Sequence, residues 1–473
     1  MAGGAPLGLE EQAVLGAVAR LPHTPLAGRE GRLFCAVVPL EVEADLADLA
    51  FSAKREGEDL FLLQVVDRGL VVAGVGSALR IDGGGLERFR SCARRWEVAA
   101  AEAVVAQPPE GVEVAVPVAM GGFAFAPQGG KSVAWEGFGS GSLTVPEIAF
   151  LHLPGERPVL VLSAWVEPGE RPSEAVGAVA RRVARLERKG LGLLDPLPTA
   201  HPRVESALAP EHYEAAVQRA TELIGAGKAK KLVIAREVLV HSPQPFAAPA
   251  LFGALREGFP SCFCFCICKG EKAFIGATPE LLVRREGQRL TTVALAGSTR
   301  RSADPAVDAH LGEQLLRSAS HREEHGIVVE RIVAALKDLA LWVTAPGEPT
   351  LVKVANVQHL ATPIRAQLPG PLNVIELAGH LHPTPAVGGE PKEAAYALIP
   401  QLEGFDRGWY AGTVGFATAS GEGEFCVALR CALLSGGEGR CFAGNGIVRG
   451  SDPAAELAET EIKLGAILPL LVG

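Results

Sequence analysis

Four strand-like runs follow one another at residues 262–269, 272–277, 281–286 and 288–294, with one to three residues between them. Gaps that short admit hairpins and exclude the dozen-residue crossovers that parallel strands need. Similar runs occupy 32–39, 60–66, 70–75, 112–120, 122–125, 135–143, 147–153 and 158–164 in the first half, then 231–241, 350–357, 412–418, 424–434 and 439–443 in the second. Helical periodicity is confined to 11–21, 86–105, 174–189, 211–226, 249–258 and one long segment at 306–341. Strands in hairpin order with few helices between them predict antiparallel sheets and an α+β chain, not alternating βαβ units. No repeat of fixed period is visible. Residues 191–202 hold three prolines without periodicity and mark a seam between a half at 1–200 and a half at 201–473.

With 48% hydrophobic residues in 473, the chain has enough apolar matter for a large core. Its formal charge of −9 lacks the basic field of a nucleic-acid binder, so an anionic substrate needs a local basic pocket or a bound metal. No apolar run reaches the length of a membrane span. Met1-Ala-Gly-Gly lacks the charged and apolar regions of a secretory signal, and nine cysteines are an odd number, so reduced thiols and a cytoplasmic location are expected. Cys262, Cys264, Cys266 and Cys268 fall at a spacing of two, in a line along one face of a strand. Zinc sites favour Cys-x-x-Cys pairs, so these are read as small buried apolar side chains.

The chemistry-bearing residues lie in the second half. Gly444-Asn445-Gly446-Ile447-Val448 reads as a glycine loop leaving a strand, followed by a helix on which Glu456, Glu459 and Lys463 share one face. Two carboxylates and an ammonium beside a glycine turn suit a hard cation holding an anion; a solvated helix face has the same pattern. Pro279 constrains the backbone before Glu280 at a strand end, although Pro-Glu also opens helices. Leu295-Ala296-Gly297-Ser298 reads as a strand-to-loop exit. Glu323-Glu324-His325 lies in the long helix. Lys231 enters an apolar strand, where desolvation favours the neutral amine of a general base, or where an edge lysine protects the strand. Arg430 is placed mid-strand among apolar residues, where it needs an anionic partner.

In this order, Gly276-Ala-Thr-Pro-Glu280, Leu295-Ala-Gly-Ser298, Glu324-His325, Arg430, Gly444-x-Gly446-Ile-Val and Glu456-x-x-Glu459-Thr-x-x-Lys463 resemble the motifs of chorismate-utilising enzymes. That family includes isochorismate and salicylate synthases and the large subunits of anthranilate and aminodeoxychorismate synthases. The resemblance covers residues 205–470; Gly121-Gly-Phe-Ala-Phe and Val145-Pro-Glu147 are a looser match to the partner half of isochorismate synthases. It implies the fold of the anthranilate synthase large subunit, with two antiparallel sheets face to face, helices outside, and both halves in one intertwined unit. His359-Leu-Ala-Thr362-Pro and His382-Pro-Thr-Pro-Ala-Val-Gly-Gly point to the isochorismate synthase branch. Alanine at 296 stands where aminodeoxychorismate synthases carry a nucleophilic lysine, so water is expected as nucleophile, with no amidotransferase subunit.

The resemblance further implies roles. Lys231 takes a proton from water attacking C2, and Glu280 protonates the departing C4 hydroxyl. Glu324, Glu459 and Glu456 hold Mg²⁺. Arg430, Tyr410, Lys463, His359, Thr362, Ser298, Gly297, Gly444 and Gly446 bind chorismate. A monomer or homodimer is expected. Salicylate synthase, which goes on to eliminate pyruvate, and an ammonia-using synthase subunit are the alternatives. Two departures stand out: Ser320-His321 replaces a lysine and an acid, and Asn445 replaces the usual alanine.

Overall fold

The computed structural model describes residues 11–40, 45–108, 115–195, 201–354 and 357–473. Among these, the strands form one sheet of thirteen and one of ten, antiparallel except where Arg32–Pro39 meets Val104–Val105. Both halves of the chain contribute to both sheets. Leu60–Val65 pairs with Phe263–Lys269 in the larger sheet, and Val118–Phe123 pairs with Thr413–Thr418 in the smaller. The expected α+β architecture with two sheets is therefore present.

Side-chain alternation sets the layers. In Phe263–Lys269, Phe263, Phe265 and Ile267 face the core shared with the smaller sheet, beside Phe274, Phe123 and Phe425. Cys264, Cys266 and Cys268 face the other way and, with Cys262, join a second core under the helices Leu46–Ala53, Pro172–Ala184 and Ala248–Gly258. The four thiols are buried and free, as small apolar side chains under tight helix contact. Each Phe buried between the sheets contributes about 1.5–3 kcal/mol.

Several expected elements differ. The long helix is two, Pro305–Arg317 and Ala319–Lys337, because Ser318 turns to an extended backbone and caps the second by accepting from the His321 N–H. Residues 295–298 do not leave the sheet: the strand runs through Arg289–Arg300 with a bulge at Gly297 (φ 75°). Residues 424–434 are two strands, Gly423–Val427 and Cys431–Ser435, so Arg430 is not mid-strand. The glycine stretch is no loop either, since the strand Glu438–Ile447 includes it. Residues 135–143 form a strand only from Gly141. The strand Val357–Gln367 and the helices Val374–Leu381 and Lys392–Glu403 were not anticipated. Parts of the expected runs at 112–120 and 350–357, and of the seam at 191–202, lie outside the described residues.

Candidate active site

Two short crossings carry the chain from one sheet to the other, side by side. Lys272–Thr278 belongs to the larger sheet and Leu281–Glu286 to the smaller, so Pro279-Glu280 makes the first crossing. Ala428-Leu429-Arg430 makes the second, between Gly423–Val427 and Cys431–Ser435. The crossings are bonded together: the Val427 N–H donates to Glu280 O at 2.9 Å and the Ala277 N–H to Arg430 O at 3.2 Å. Arg430 (φ 50°) and Ala411 (φ 56°) are the non-glycine residues with left-handed backbone among those described, and both line the same cavity. That conformation costs about 1–2 kcal/mol per residue, a strain that concentrates at functional sites.

The cavity lies between the crossings, the strands Arg289–Arg300 and Glu438–Ile447, and the helices Ala319–Lys337 and Pro453–Leu464. The bulge at Gly297 brings Ser298 into it, and a Cβ on Gly297 would stand 3.3 Å from His321. Lys231 is fully buried at the start of the strand Lys231–His241, with its Nζ 2.8 Å from Glu324 Oε1. The contact is an ion pair off the hydrogen-bond direction, so Nζ makes no hydrogen bond among the described residues. Gly446 lies against both heads, with Glu324 on the cavity wall and Lys231 behind it. A Cβ there would meet Glu324 Oε1 at 2.2 Å and Lys231 Nζ at 2.9 Å, so only glycine lets both heads reach this point. Beyond Cys441 the glycine strand pairs only with Lys231–His241, which leaves its other edge unpaired among the described residues.

Burial pushes the Glu280 carboxyl up to about 7 against the pull of Lys231 and Arg430, so it holds a proton near neutrality. Burial, then the neighbouring Glu459, pushes Glu456 up to about 7. Glu459 behaves oppositely: burial alone would raise it, but Lys463 and Ser298 hold it down at about 2. Burial and Arg430 push His359 down to about 3, so it is neutral and accepts from Arg430 Nη2 at 3.4 Å. Arg430 has no carboxylate in ion-pair contact among the described residues, and its Nε is buried without a hydrogen bond. A guanidinium left so is a receptor for an anion. Tyr410 stacks on Phe442 at 5.0 Å on the same wall.

Three acids are candidates to hold a hard cation. Glu324, Glu456 and Glu459 all line the cavity. Contacts on Glu324 and Glu459 fall on Oε1: Lys231 at 2.8 Å on the first, Lys463 at 2.8 Å and the Ser298 hydroxyl at 2.6 Å on the second. One oxygen of each remains uncommitted among the described residues. No group of three His, Cys, Asp or Glu is gathered closely enough to cage an ion by itself. All-oxygen donors, few in number and with room for water, fit Mg²⁺, which keeps several waters and takes one or two carboxylates.

Of the residues singled out from the sequence, Glu280, Gly297, Ser298, Glu324, His359 and Tyr410 line this cavity. Arg430, Gly444, Gly446, Glu456, Glu459 and Lys463 line it too. Lys231 is behind Gly446, not on the wall. Thr362 is off the wall as well: it is buried and bonds His325 Nε2 at 2.8 Å, while His325 Nδ1 meets Ala296 O at 3.3 Å. That pair fixes the helix Ala319–Lys337 against the sheet beside Glu324, which the sequence did not reveal. Ala386 and Val387 also line the cavity, from the His382 motif. His321 lines it with Nδ1 2.7 Å from Ser318 Oγ. Asn445 does not use the positive φ that a glycine turn would invite, because it is in a strand.

A family model described as "Chorismate binding enzyme" matches residues 25–472. The chain is 38% identical over 411 residues to the "Salicylate biosynthesis isochorismate synthase" of Pseudomonas aeruginosa, covering 83% of this chain and 81% of that one. It is 32% identical to "Isochorismate synthase MenF" of Bacillus subtilis, covering 89% and 90%. Among solved structures, MenF, the menaquinone-specific isochorismate synthase from Escherichia coli, superposes with a TM-score of 0.77 at 28% identity, covering 97% of this chain and all of that one.

Proposed function

The chain belongs to the chorismate binding enzyme family, and we propose on that premise how its site turns chorismate into isochorismate. The chain is an isochorismate synthase, an isomerase that exchanges the C4 hydroxyl of the ring for one at C2. The carrying observation is Glu280, a carboxyl on the cavity wall kept protonated near neutrality, with the buried Lys231 behind Gly446. Lys231 takes a proton from water as it adds to C2, and Glu324 at 2.8 Å meets the ammonium that forms. Glu280 gives its proton to the C4 hydroxyl as that bond breaks. The double bond shifts, water leaves, and the overall atom count is unchanged.

Arg430, with its unpaired Nε, and Tyr410 receive the enolpyruvyl carboxylate. Glu324 and Glu459 would hold Mg²⁺, with Glu456 reaching it through water. When bound, it neutralises the ring carboxylate and orients the ring. Ala296 on the wall carries no nucleophile, which supports water and argues against amination. Incubating the protein with chorismate and Mg²⁺ and identifying products by chromatography tests the reading. Isochorismate is expected, without aminated product when glutamine or ammonia is added; fluorescent salicylate as the main product would replace the reading with a lyase. Lys231→Ala is expected to lose at least about a hundredfold in turnover, the low end of general-base catalysis.

A further inference from the structure

An ammonium has three N–H donors. In Lys463 two are taken by hydrogen bonds, to Gly444 O at 3.0 Å and Asn445 Oδ1 at 2.6 Å, and Glu459 Oε1 lies 2.8 Å away in an ion pair. Asn445 is itself buried, and its Nδ2 donates to the backbone carbonyl of Glu456 at 2.6 Å. Its side chain thus bridges the glycine strand and the helix Pro453–Leu464 at the level of both acids.

We propose that Asn445 is a positioning residue that acts through Lys463: it anchors the ammonium to the strand, so that a single lysine contact reaches Glu459 and its second carboxylate oxygen stays open to a cation. Lys463 in this arrangement orients Glu459 and is not itself a ligand of the substrate anion. The proposal rests on the reading of Glu459 as a metal-holding acid. Without Asn445 one lysine donor is released beside three carboxylates, Glu324, Glu456 and Glu459, that line the same cavity. The freed donor turns to them and competes with the cation.

The test is a Mg²⁺ titration followed by thermal shift, without substrate, beside a chorismate assay. Asn445→Ala is expected to raise the Mg²⁺ midpoint about tenfold to a hundredfold, the size of one charge-assisted hydrogen bond. Asn445→Asp, which keeps the acceptor for Lys463, is expected to bind Mg²⁺ no more weakly than the wild type, and it carries the test if the alanine variant does not fold. Lys463→Met is expected to bind Mg²⁺ at least as well as the wild type, and adding Asn445→Ala to it is expected to change nothing further, since the asparagine acts only through the lysine. A wild-type midpoint in Asn445→Ala, a weakened one in Asn445→Asp, or additive effects in the double variant would overturn the clamp while leaving isochorismate formation intact. A wild type that turns over chorismate but shows no Mg²⁺ shift would overturn the clamp together with the metal assignment. Absence of chorismate turnover by the wild type would instead overturn the enzymatic reading.

Discussion

At the scale of single residues, the site separates two acids by environment. Glu280, fully enclosed, is pushed up to about 7, while Glu459 beside Lys463 is held at about 2. In the proposed mechanism the leaving hydroxyl takes the proton of Glu280, so kcat/KM is expected to fall as pH rises through about 7. Glu280→Gln is expected to remove that limb and lower turnover about 10²–10⁴-fold. The same shift acts on stability with a definite sign. A buried carboxyl whose folded value lies above its unfolded one stabilises fully below about 4.5, and the contribution is lost as pH rises through about 7. Thermal unfolding at pH 6 and pH 8 checks this: the wild type should lose more between the two than Glu280→Gln, which cannot ionise, and equal losses would contradict it. Gly446 makes a second point at this scale. A methyl there lands on Glu324 and Lys231 at 2.2 and 2.9 Å. Gly446→Ala is therefore expected to reduce kcat at least about tenfold through misplacement of the base, while far-UV dichroism stays that of the wild type. Unchanged turnover would mean that Lys231 is not the base.

At the scale of elements, a buried ion pair ties the helix Lys392–Glu403 to the cavity wall. Arg407 Nε bonds Glu403 Oε2 at 2.8 Å, and its other nitrogens reach Val387 O and Val233 O, both at 2.8 Å. Glu403 Oε1 accepts the Ala235 N–H at 2.7 Å, and the guanidinium lies 4.3 Å over the Phe125 ring. Removing one partner leaves a buried charge, so Arg407→Met is expected to cost about 3–5 kcal/mol, read as a lower urea midpoint, and Glu403→Gln in the same chain should restore part of it. A loss below about 1 kcal/mol, the scale of a surface pair, would show that the pair is not a structural tie. None of this pair was legible in the sequence, because Glu403 and Arg407 have ordinary helix-end spacing and only the fold encloses them. The strand at Lys231 was legible from its apolar run, and the helix face of Glu456, Glu459 and Lys463 from periodicity alone. The glycine stretch was misread as a loop because glycine signals either a turn or a close approach, and here Gly446 serves the approach of two side chains within a strand. Arg430 was misread as mid-strand because its left-handed backbone is carried by a non-glycine residue, which leaves no mark in composition. The cysteine line was read correctly because a spacing of two on a strand fixes one face whatever surrounds it.

At the scale of the whole molecule, the site exists where two sheets exchange strands. Glu280 and Arg430 occupy adjacent crossings, Lys231 comes from the larger sheet, and Ser298 and His359 from paired strands of the smaller. Moving either sheet relative to the other would separate Glu280 and Arg430 from Ser298 and His359, so precision at the site depends on the full span of both. That span includes the first half of the chain. In the larger sheet Leu60–Val65 covers the flank of Phe263–Lys269, and in the smaller Val118–Phe123 covers the flank of Thr413–Thr418. A fragment of residues 201–473 holds every candidate catalytic residue, yet it would expose both flanks as unpaired edges together with the aromatic core face of Phe265 and Phe274. Long, apolar, uncovered edges template aggregation. The fragment expressed alone is therefore expected to aggregate or to lack a cooperative thermal transition, and to turn over no chorismate. Co-expression with residues 1–200 should recover soluble material eluting as a complex in size exclusion. A monomeric, cooperatively folded and active 201–473 fragment would show that the second half is a domain in its own right and that the first half only decorates it.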